Sequence, residues 1–462
     1  MPILILSLLL SIATAQHGLH QPPECTEDLV STLYSSTPYP PRDPTLEVPG
    51  LITFQKHEDP NLIRATIFGG KTLPIPFRAL IAGGGTGDAT IALALGLAKI
   101  NHESTILHVD LSKASLDVAK QRLRKHANFL RRSSVRILFL KASISNLPEK
   151  DLGGKFHYIN CIGVLHHMPR PQEGLKILSH LLHENGGLNF MVYGSIGRTG
   201  VYHVRKMARI VHQQQHRNEA EGSTSYPTVG EAKMVLENLP TTNFFVRNAL
   251  VQGSVDMQEF EDAGVSDLIQ NPCDVAMSIE QVNEMATHAE LRILAPVHPK
   301  EYEPTGSPAL VDTVKQLPWI EQAAFAELQS GTIMFHHVWL VQHNNTVVPT
   351  ETLPWEKHSI PCRADWMPSN IMPEEGIERG LMDPDARYEM EMGGETVALQ
   401  SMSLPALGAS IVSRMNCEAT LEEIYVQIKE VARWEVHWEV FLSHAKEWRV
   451  SLAKGRAVHT LV

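Results

Sequence analysis

The sequence predicts an α/β fold: a doubly wound, mostly parallel sheet with helices on both faces, a helical lid inserted late, and a small α+β unit at the carboxyl end. Three observations predict it. From Arg78 onward, short apolar strands alternate with segments of helical period. A glycine-rich turn, Gly83-Gly84-Gly85-Thr86-Gly87, follows the first strand. An acidic residue, Asp110, closes the second.

The elements follow in order. Arg78 to Ala82 is an apolar strand, and the glycine turn leads into a helix from Asp88 to Lys99 that is apolar on nearly all sides. Such a helix is pressed between a sheet and its neighbours. Ser104 to Val109 is the second strand. Lys113 to Lys125 is a helix, with Leu116, Ala119 and Leu123 on one face. Val135 to Leu140 and Phe156 to Ile162 are the third and fourth strands. Gln172 to His183 is a helix with Leu175, Leu178 and Leu182 inward, and Gly187 to Tyr193 is the fifth strand. Right-handed crossovers between these strands make the sheet doubly wound. After a long insertion come a helix, Ser278 to Ala289, and two strands, Leu291 to Leu294 and Thr332 to Gln342.

The 462 residues suffice for two or three domains. Residues 78–345 form the main domain, with 194–277 as the inserted lid above the strand ends. Residues 16–77 are Pro-rich with little periodicity, 346–373 read as a linker, and 374–462 as a small terminal domain. A net charge of −11 argues against nucleic acid as the partner. The basic cluster from Arg122 to Arg132 reads as a solvated helix face.

Ile3 to Ile12 is almost wholly apolar and precedes Ala13-Thr14-Ala15, which reads as a signal peptide over residues 1–15 and a secretory or extracellular destination. The run is too short to span a membrane, and it lacks preceding Lys or Arg. A cytoplasmic location is the alternative. The five cysteines, Cys25, Cys161, Cys273, Cys362 and Cys417, are odd in number and widely spaced, so no disulfide framework is expected. His212 and His216 are four apart on an inserted helix, but no third metal ligand accompanies them in the sequence, and they read as surface histidines. No metal is expected.

The glycine turn lets backbone approach a ligand closely, and the helix after it presents free N–H groups. Asp110 stands 23 residues after Gly87, where a carboxylate accepts both hydroxyls of a ribose. The pattern is Gly83-x-Gly85-x-Gly87, and Asp88 stands where a dinucleotide fingerprint has its third glycine. The spacing favours S-adenosylmethionine over NAD or FAD.

Several strings then resemble one family in the right order. ALIAGGGTGDATIALALGL (Ala79 to Leu97) resembles motif I of the class I S-adenosylmethionine-dependent methyltransferases, which share a Rossmann-like domain. ILHVDLSKASLDVAKQRL (Ile106 to Leu123) resembles the acidic motif that follows, and FHYINCIGVLHHMPRP (Phe156 to Pro171) resembles motif IV. Pro38-Tyr39-Pro40, the Asp110-Leu111-Ser112 string and Gly163-Val164-Leu165-His166-His167 are similar to a subgroup often fused to tetratricopeptide repeats in bacteria. The resemblance spans roughly residues 36–345; no such repeats are visible in the sequence. It implies methyl transfer to an acceptor, small molecule or peptide, which the sequence does not name. It also implies a cofactor held by Gly83, Gly85, Gly87, Asp88, Asp110, Leu111, Ser143 and Gly163. Two departures stand out. Ile81 is apolar where many of these enzymes have an acid, as in the subgroup. Ser143 occupies the position of the usual adenine-binding Asp, a neutral and weaker acceptor.

Methyl transfer asks the protein to align the acceptor, exclude water and at times remove a proton. His166 and His167 after the fourth strand, Tyr193 at the end of the fifth, and Tyr39 folded over the site are the catalytic candidates. In the tail, Thr420-Leu421-Glu422-Glu423 is a capping box. With the surrounding Leu404 to Ile428 it resembles the small winged-helix units of peptide-modifying enzymes. Two other readings stay open: a non-catalytic binding protein on this fold, favoured by Ser143, and a nucleotide-dependent oxidoreductase.

Overall fold

The structure is a computed structural model describing residues 25–49, 58–147, 152–217, 226–252, 262–349, 360–363, 389–392, 395–398, 420–431, 441 and 458–461. Seven strands form the main sheet: β1 (Phe77–Ala82), β2 (Ser104–Asp110), β3 (Val135–Lys141), β4 (Phe156–Ile162), β5 (Leu182–Tyr193), β6 (Leu291–Pro296) and β7 (Phe335–Gln342). Their order is β3-β2-β1-β4-β5-β7-β6. The first five run parallel, and β7 pairs antiparallel with both β5 and β6. The order reverses between β1 and β4, so the carboxyl ends of these two strands frame a crevice.

Helices cover both faces of the sheet and build the insertion: α1 (Glu27–Ser36), α2 (Pro60–Ile67), α3 (Asp88–Lys99), α4 (Lys113–Lys125), α5 (Pro171–Leu181), α6 (Thr199–Gln215), α7 (Val229–Glu237), α8 (Phe244–Gln252), α9 (Ile279–His288), α10 (Pro308–Val314) and α11 (Trp319–Ser330). Strand alternation divides the core. Ala79 and Ile81 of β1 pack with Leu62, Ile63 and Ile67 of α2 and Leu93, Ala94 and Leu97 of α3. Leu80 and Ala82 face the other way, toward Leu175 and Leu178 of α5 and Val282 and Ala286 of α9.

Two parts depart from the sequence expectation. Residues 16–77 were expected to lack regular structure, yet α1 and α2 lie there. Each is N-capped: Thr26 Oγ1 accepts the Leu29 N–H, and Asp59 Oδ1 accepts the Asn61 N–H. α2 is only eight residues long, fewer than the window over which a helical period is read, and seven of its eight residues are buried, Asn61 and Thr66 included. α10 and α11, between β6 and β7, were likewise not anticipated.

The insertion leaves the sheet and returns at one point. Gly194 bridges Met277, the Ser195 N–H donates to Met277 O at 2.9 Å, and the Met277 N–H donates to Tyr193 O at 2.9 Å. Between these ends α6, α7 and α8 enclose a small core of their own, including Val201, Val204, Ala208, Ala232 and Phe245. The last stretch is a helical turn, Asp262–Val265, running into a π-turn, Ser266–Gln270.

In the terminal unit, β8 (Ile360–Arg363) pairs antiparallel with β11 (Val458–Leu461), and β9 (Glu389–Met392) with β10 (Glu395–Ala398). The capping box is present. The Thr420 N–H donates to Glu423 Oε2, and the Glu423 N–H to Thr420 Oγ1, at the start of α12 (Leu421–Val431). The rest of the winged-helix resemblance, and the signal-like residues 1–15, lie outside the described residues. No described helix is long and apolar enough to cross a membrane.

Candidate active site

A cavity of about 670 Å³ opens at the carboxyl ends of β1, β2, β4 and β5. One half is built by the glycine turn. The N–H groups of Gly83 and Gly84 donate to Val109 O, which folds the turn back against β2. Gly85 has φ +52°, a left-handed conformation that favours glycine. Its N–H donates to Asp110 Oδ2 at 2.8 Å, and the Ser112 N–H donates to Oδ1 at 2.8 Å. Each Asp110 oxygen keeps a second lone pair, and the carboxylate lines the cavity. Burial lifts the Asp110 pKa above the ordinary carboxylate value, while the two N–H donors oppose it. Gly83, Leu111, Ser143 and Gly163 also line the cavity. Ser143 Oγ already accepts the Ser145 N–H at 3.0 Å, capping a short turn, so one of its two lone pairs is taken. Gly87 does not line the cavity. It sits in the left-handed N-cap position of α3, at φ +103°.

The amino-terminal segment is strapped across this turn. Thr86 Oγ1 donates to Pro40 O at 2.8 Å, and the Tyr39 carbonyl stands over Gly85. Asp88, expected to face a cofactor, lines the cavity but is engaged by two arginines. Arg42 Nη2 donates to its Oδ2 at 2.7 Å, and Arg122 pairs with its Oδ1. Burial alone would raise the Asp88 carboxyl; the hydrogen bonds from Arg42 and Arg122 outweigh it and hold it below the usual range. Arg122 also donates to Glu47 Oε2 at 2.6 Å and to Thr86 O at 3.0 Å. It is therefore buried, not part of a solvated face as its neighbours in sequence suggested. A guanidinium suits this position because its planar fork serves three acceptors at once.

The other half of the cavity is aromatic and acidic. Tyr34 of α1 donates from its hydroxyl to Asp267 Oδ1 at 2.6 Å, and Tyr193 donates to Asp267 Oδ2 at 3.2 Å. Burial, and next the Asp267 charge, hold both phenols well above their ordinary pKa, so they stay protonated donors. His167 faces the same carboxylate, its Nε2 lying 3.9 Å from Asp267 Oδ1. His167 Nδ1 lies 2.6 Å from the Cys273 carbonyl oxygen, which can only accept, so the ring proton sits on Nδ1 and Nε2 carries the lone pair. Burial lowers this imidazole below its ordinary pKa despite the opposing pull of Asp267 and Asp274. Tyr39 lines the cavity and is half exposed.

His166 corrects one expectation. It is fully buried and does not line the cavity; its ring stacks on Tyr193 at 3.6 Å between centroids. The turn Leu165–His167 sends consecutive side chains in different directions, so only one of the two histidines reaches the cavity. Tyr193 also carries the Arg198 guanidinium 3.4 Å from its ring centroid, and Asp274 fixes that arginine through a 2.8 Å ion pair. Tyr34, Arg198, Asp267 and Asp274 were all missed by the sequence reading.

Cys25 and Cys273 form a disulfide across 248 residues of sequence. This corrects the expectation drawn from the cysteine count. The pair fastens the start of α1, which carries Tyr34, to the stretch that holds the His167 proton. Asn271 Nδ2 adds a hydrogen bond to the Tyr34 hydroxyl at 3.0 Å. Cys161 is a free thiol packed in the core, its pKa raised by burial.

Known proteins share this framework. Residues 80–188 match a family model described as a methyltransferase domain. An uncharacterized protein of Synechococcus sp. is 24% identical over 414 residues, spanning 87% of this chain and 90% of its own. Among solved structures, PKMT2 from Rickettsia typhi in complex with AdoHcy superposes with a TM-score of 0.62 at 18% identity, over 92% of this chain and 77% of that one. A second PKMT2 structure from Rickettsia typhi gives a TM-score of 0.61 at 17% identity, over 89% of this chain and 77% of that one. At these identities the structural likeness is one of fold. Together with the strand order, the glycine turn and the matched domain, it shows that this chain has the Rossmann-like fold of the class I methyltransferases.

Proposed function

We propose that the chain binds S-adenosylmethionine in the glycine-turn half of the cavity and transfers its methyl group to an amine nitrogen held in the other half. The cofactor half fits the ligand: Gly83, Gly84 and Gly85 line the cavity with bare backbone, and Asp110 keeps a lone pair on each oxygen for the ribose hydroxyls. PKMT2, whose fold the chain shares, has been crystallised with AdoHcy.

The observation that carries the amine reading is Asp267. It is a cavity-lining carboxylate oriented by two phenols that both act as donors, with lone pairs left for a cation. The cavity's arginines do not offset this, because Arg42 and Arg198 are paired with Asp88 and Asp274. A carboxylate acceptor would meet like charge here.

Bound S-adenosylmethionine supplies an activated methyl group. The chain's own residues do the rest. Asp267 holds the ammonium group and aims it across the cavity. His167 Nε2, neutral at pH 7, accepts the proton that must leave nitrogen before it becomes a nucleophile. The strap over Gly85 excludes water from the reacting atoms.

Incubation with methyl-labelled S-adenosylmethionine and primary-amine acceptors should give a label stable to strong base, as an N-methyl bond is. A label released by base as methanol would mark a methyl ester and overturn the amine assignment. Cofactor binding is checked separately. Calorimetric titration should show binding of S-adenosylmethionine and not of NAD(P)H. Asp110→Ala should weaken it about 10- to 150-fold, the equivalent of roughly 1.5–3 kcal/mol for a hydrogen bond to a charged group. An unchanged affinity would remove Asp110 from the site.

A further inference from the structure

The inserted segment holds a second cluster that methyl transfer does not use. His212 and His216 lie one turn apart on α6, with ring centroids 4.4 Å apart. Glu231, on α7, faces both. His212 Nδ1 and His216 Nε2 each lie 3.2 Å from one and the same oxygen, Glu231 Oε1, and His212 Nδ1 also lies 2.9 Å from Oε2. His212 and Glu231 are buried, whereas the His216 side chain is 30% exposed. From sequence alone both histidines read as surface residues without a third ligand. The third ligand lies on the next helix, where spacing along the chain does not reveal it.

We propose that His212, His216 and Glu231 bind a zinc ion that ties α6 to α7, with a water completing the coordination on the exposed side of His216. Three features converge on this. First, the donor set of two imidazoles and one carboxylate is one that zinc takes, and the ligand atoms lie within 4.8 Å of one another. Second, the spacing is compatible: bonds of about 2.0–2.1 Å in a tetrahedral site put ligand atoms about 3.3 Å apart, and both histidine nitrogens lie 3.2 Å from Glu231 Oε1, so that only the two imidazoles need shift to close the site. Third, the carboxylate is fixed from behind. Glu231 Oε2 accepts the Thr228 N–H at 2.6 Å and the Thr228 hydroxyl at 3.0 Å, the capping box of α7. Outer partners of this kind orient a ligand oxygen and raise metal affinity.

The site also has a structural use. The core of the insertion is small, and a metal is a common staple where apolar burial is limited. α6 and α7 both pack on the π-turn Ser266–Gln270, which carries Asp267. A tie between these helices therefore stiffens the wall that presents Asp267 to the cavity.

The test uses the full chain without a histidine tag. After exposure to Zn²⁺ and removal of loose metal, elemental analysis should find one zinc per chain. Titration against a chromophoric chelator should give His216→Ala an affinity at least about 100-fold weaker. Cobalt in place of zinc should give the visible absorption of a tetrahedral site, absent in His216→Ala. His216→Ala removes the partly exposed ligand and leaves the buried pair in place; its folding is checked by circular dichroism. If the wild-type chain retains no zinc, His212 and His216 only hydrogen-bond to Glu231 and the proposal fails, whatever the variant does. Retention of one zinc by both proteins would place the metal elsewhere and overturn it equally. Neither readout depends on methyl transfer.

Discussion

Gly85→Val is expected to abolish S-adenosylmethionine binding, with an affinity loss of at least about 100-fold. Two costs add. Gly85 has φ +52°, where a β-branched residue is strained by roughly 1–2 kcal/mol. A Cβ there would also lie 2.5 Å from the Tyr39 carbonyl oxygen, so the strap must lift from the turn. The damage is local, because the strand and helix on either side keep their own packing. Calorimetric titration of a variant shown to be folded by circular dichroism checks this. A folded variant with wild-type affinity would mean that the glycine turn is not where the cofactor binds.

Asp267→Ala should lower kcat/KM for the amine acceptor about 100- to 1,000-fold, the usual scale for removing one preorganised electrostatic contact from a reacting centre. The affinity for S-adenosylmethionine should stay near that of the unaltered chain, since Asp110 and the glycine turn are untouched. Asp267→Asn separates charge from hydrogen bonding: an amide oxygen still accepts from a phenol, but it does not attract an ammonium ion. The Asn variant should therefore lose activity nearly as far as the Ala variant. Wild-type activity in both variants would remove Asp267 from acceptor binding, and an equal loss of cofactor affinity would show that it serves the other half of the cavity.

The glycine-turn half of the cavity was legible in sequence, and the aromatic, acidic half was not. Asp110 and the glycine turn are close along the chain and sit at the ends of adjacent strands, so alternation and spacing bring them together. Tyr34 and Asp267 are 233 residues apart, and each lies in a short helical segment with no repeat to mark it. The pair His166-His167 reads as two equal candidates, because which ring enters the cavity depends on the turn that carries them. Arg122 has the sequence context of a surface cation, Arg124 and Lys125 being close by. Only the fold brings Glu47 and Asp88 against it. The same holds for α2, whose eight residues are fewer than the window over which a helical period declares itself.

The meeting of Gly194 and Met277 has a consequence for how such a chain diversifies. A segment whose two ends are neighbours in a sheet is a replaceable cassette: any other segment whose ends meet about one strand spacing apart, near 4.8 Å, closes the same gap without disturbing strand order. Asp267, Arg198 and Asp274 belong to that cassette; Gly85 and Asp110 do not. Exchange of residues 195–276 between relatives is thus a way to replace the acidic wall of the cavity while the glycine-turn wall stays unchanged. The constraint on such a graft is set outside the cassette, by Tyr34 and Cys25, whose partners at Asp267 and Cys273 the incoming segment must supply.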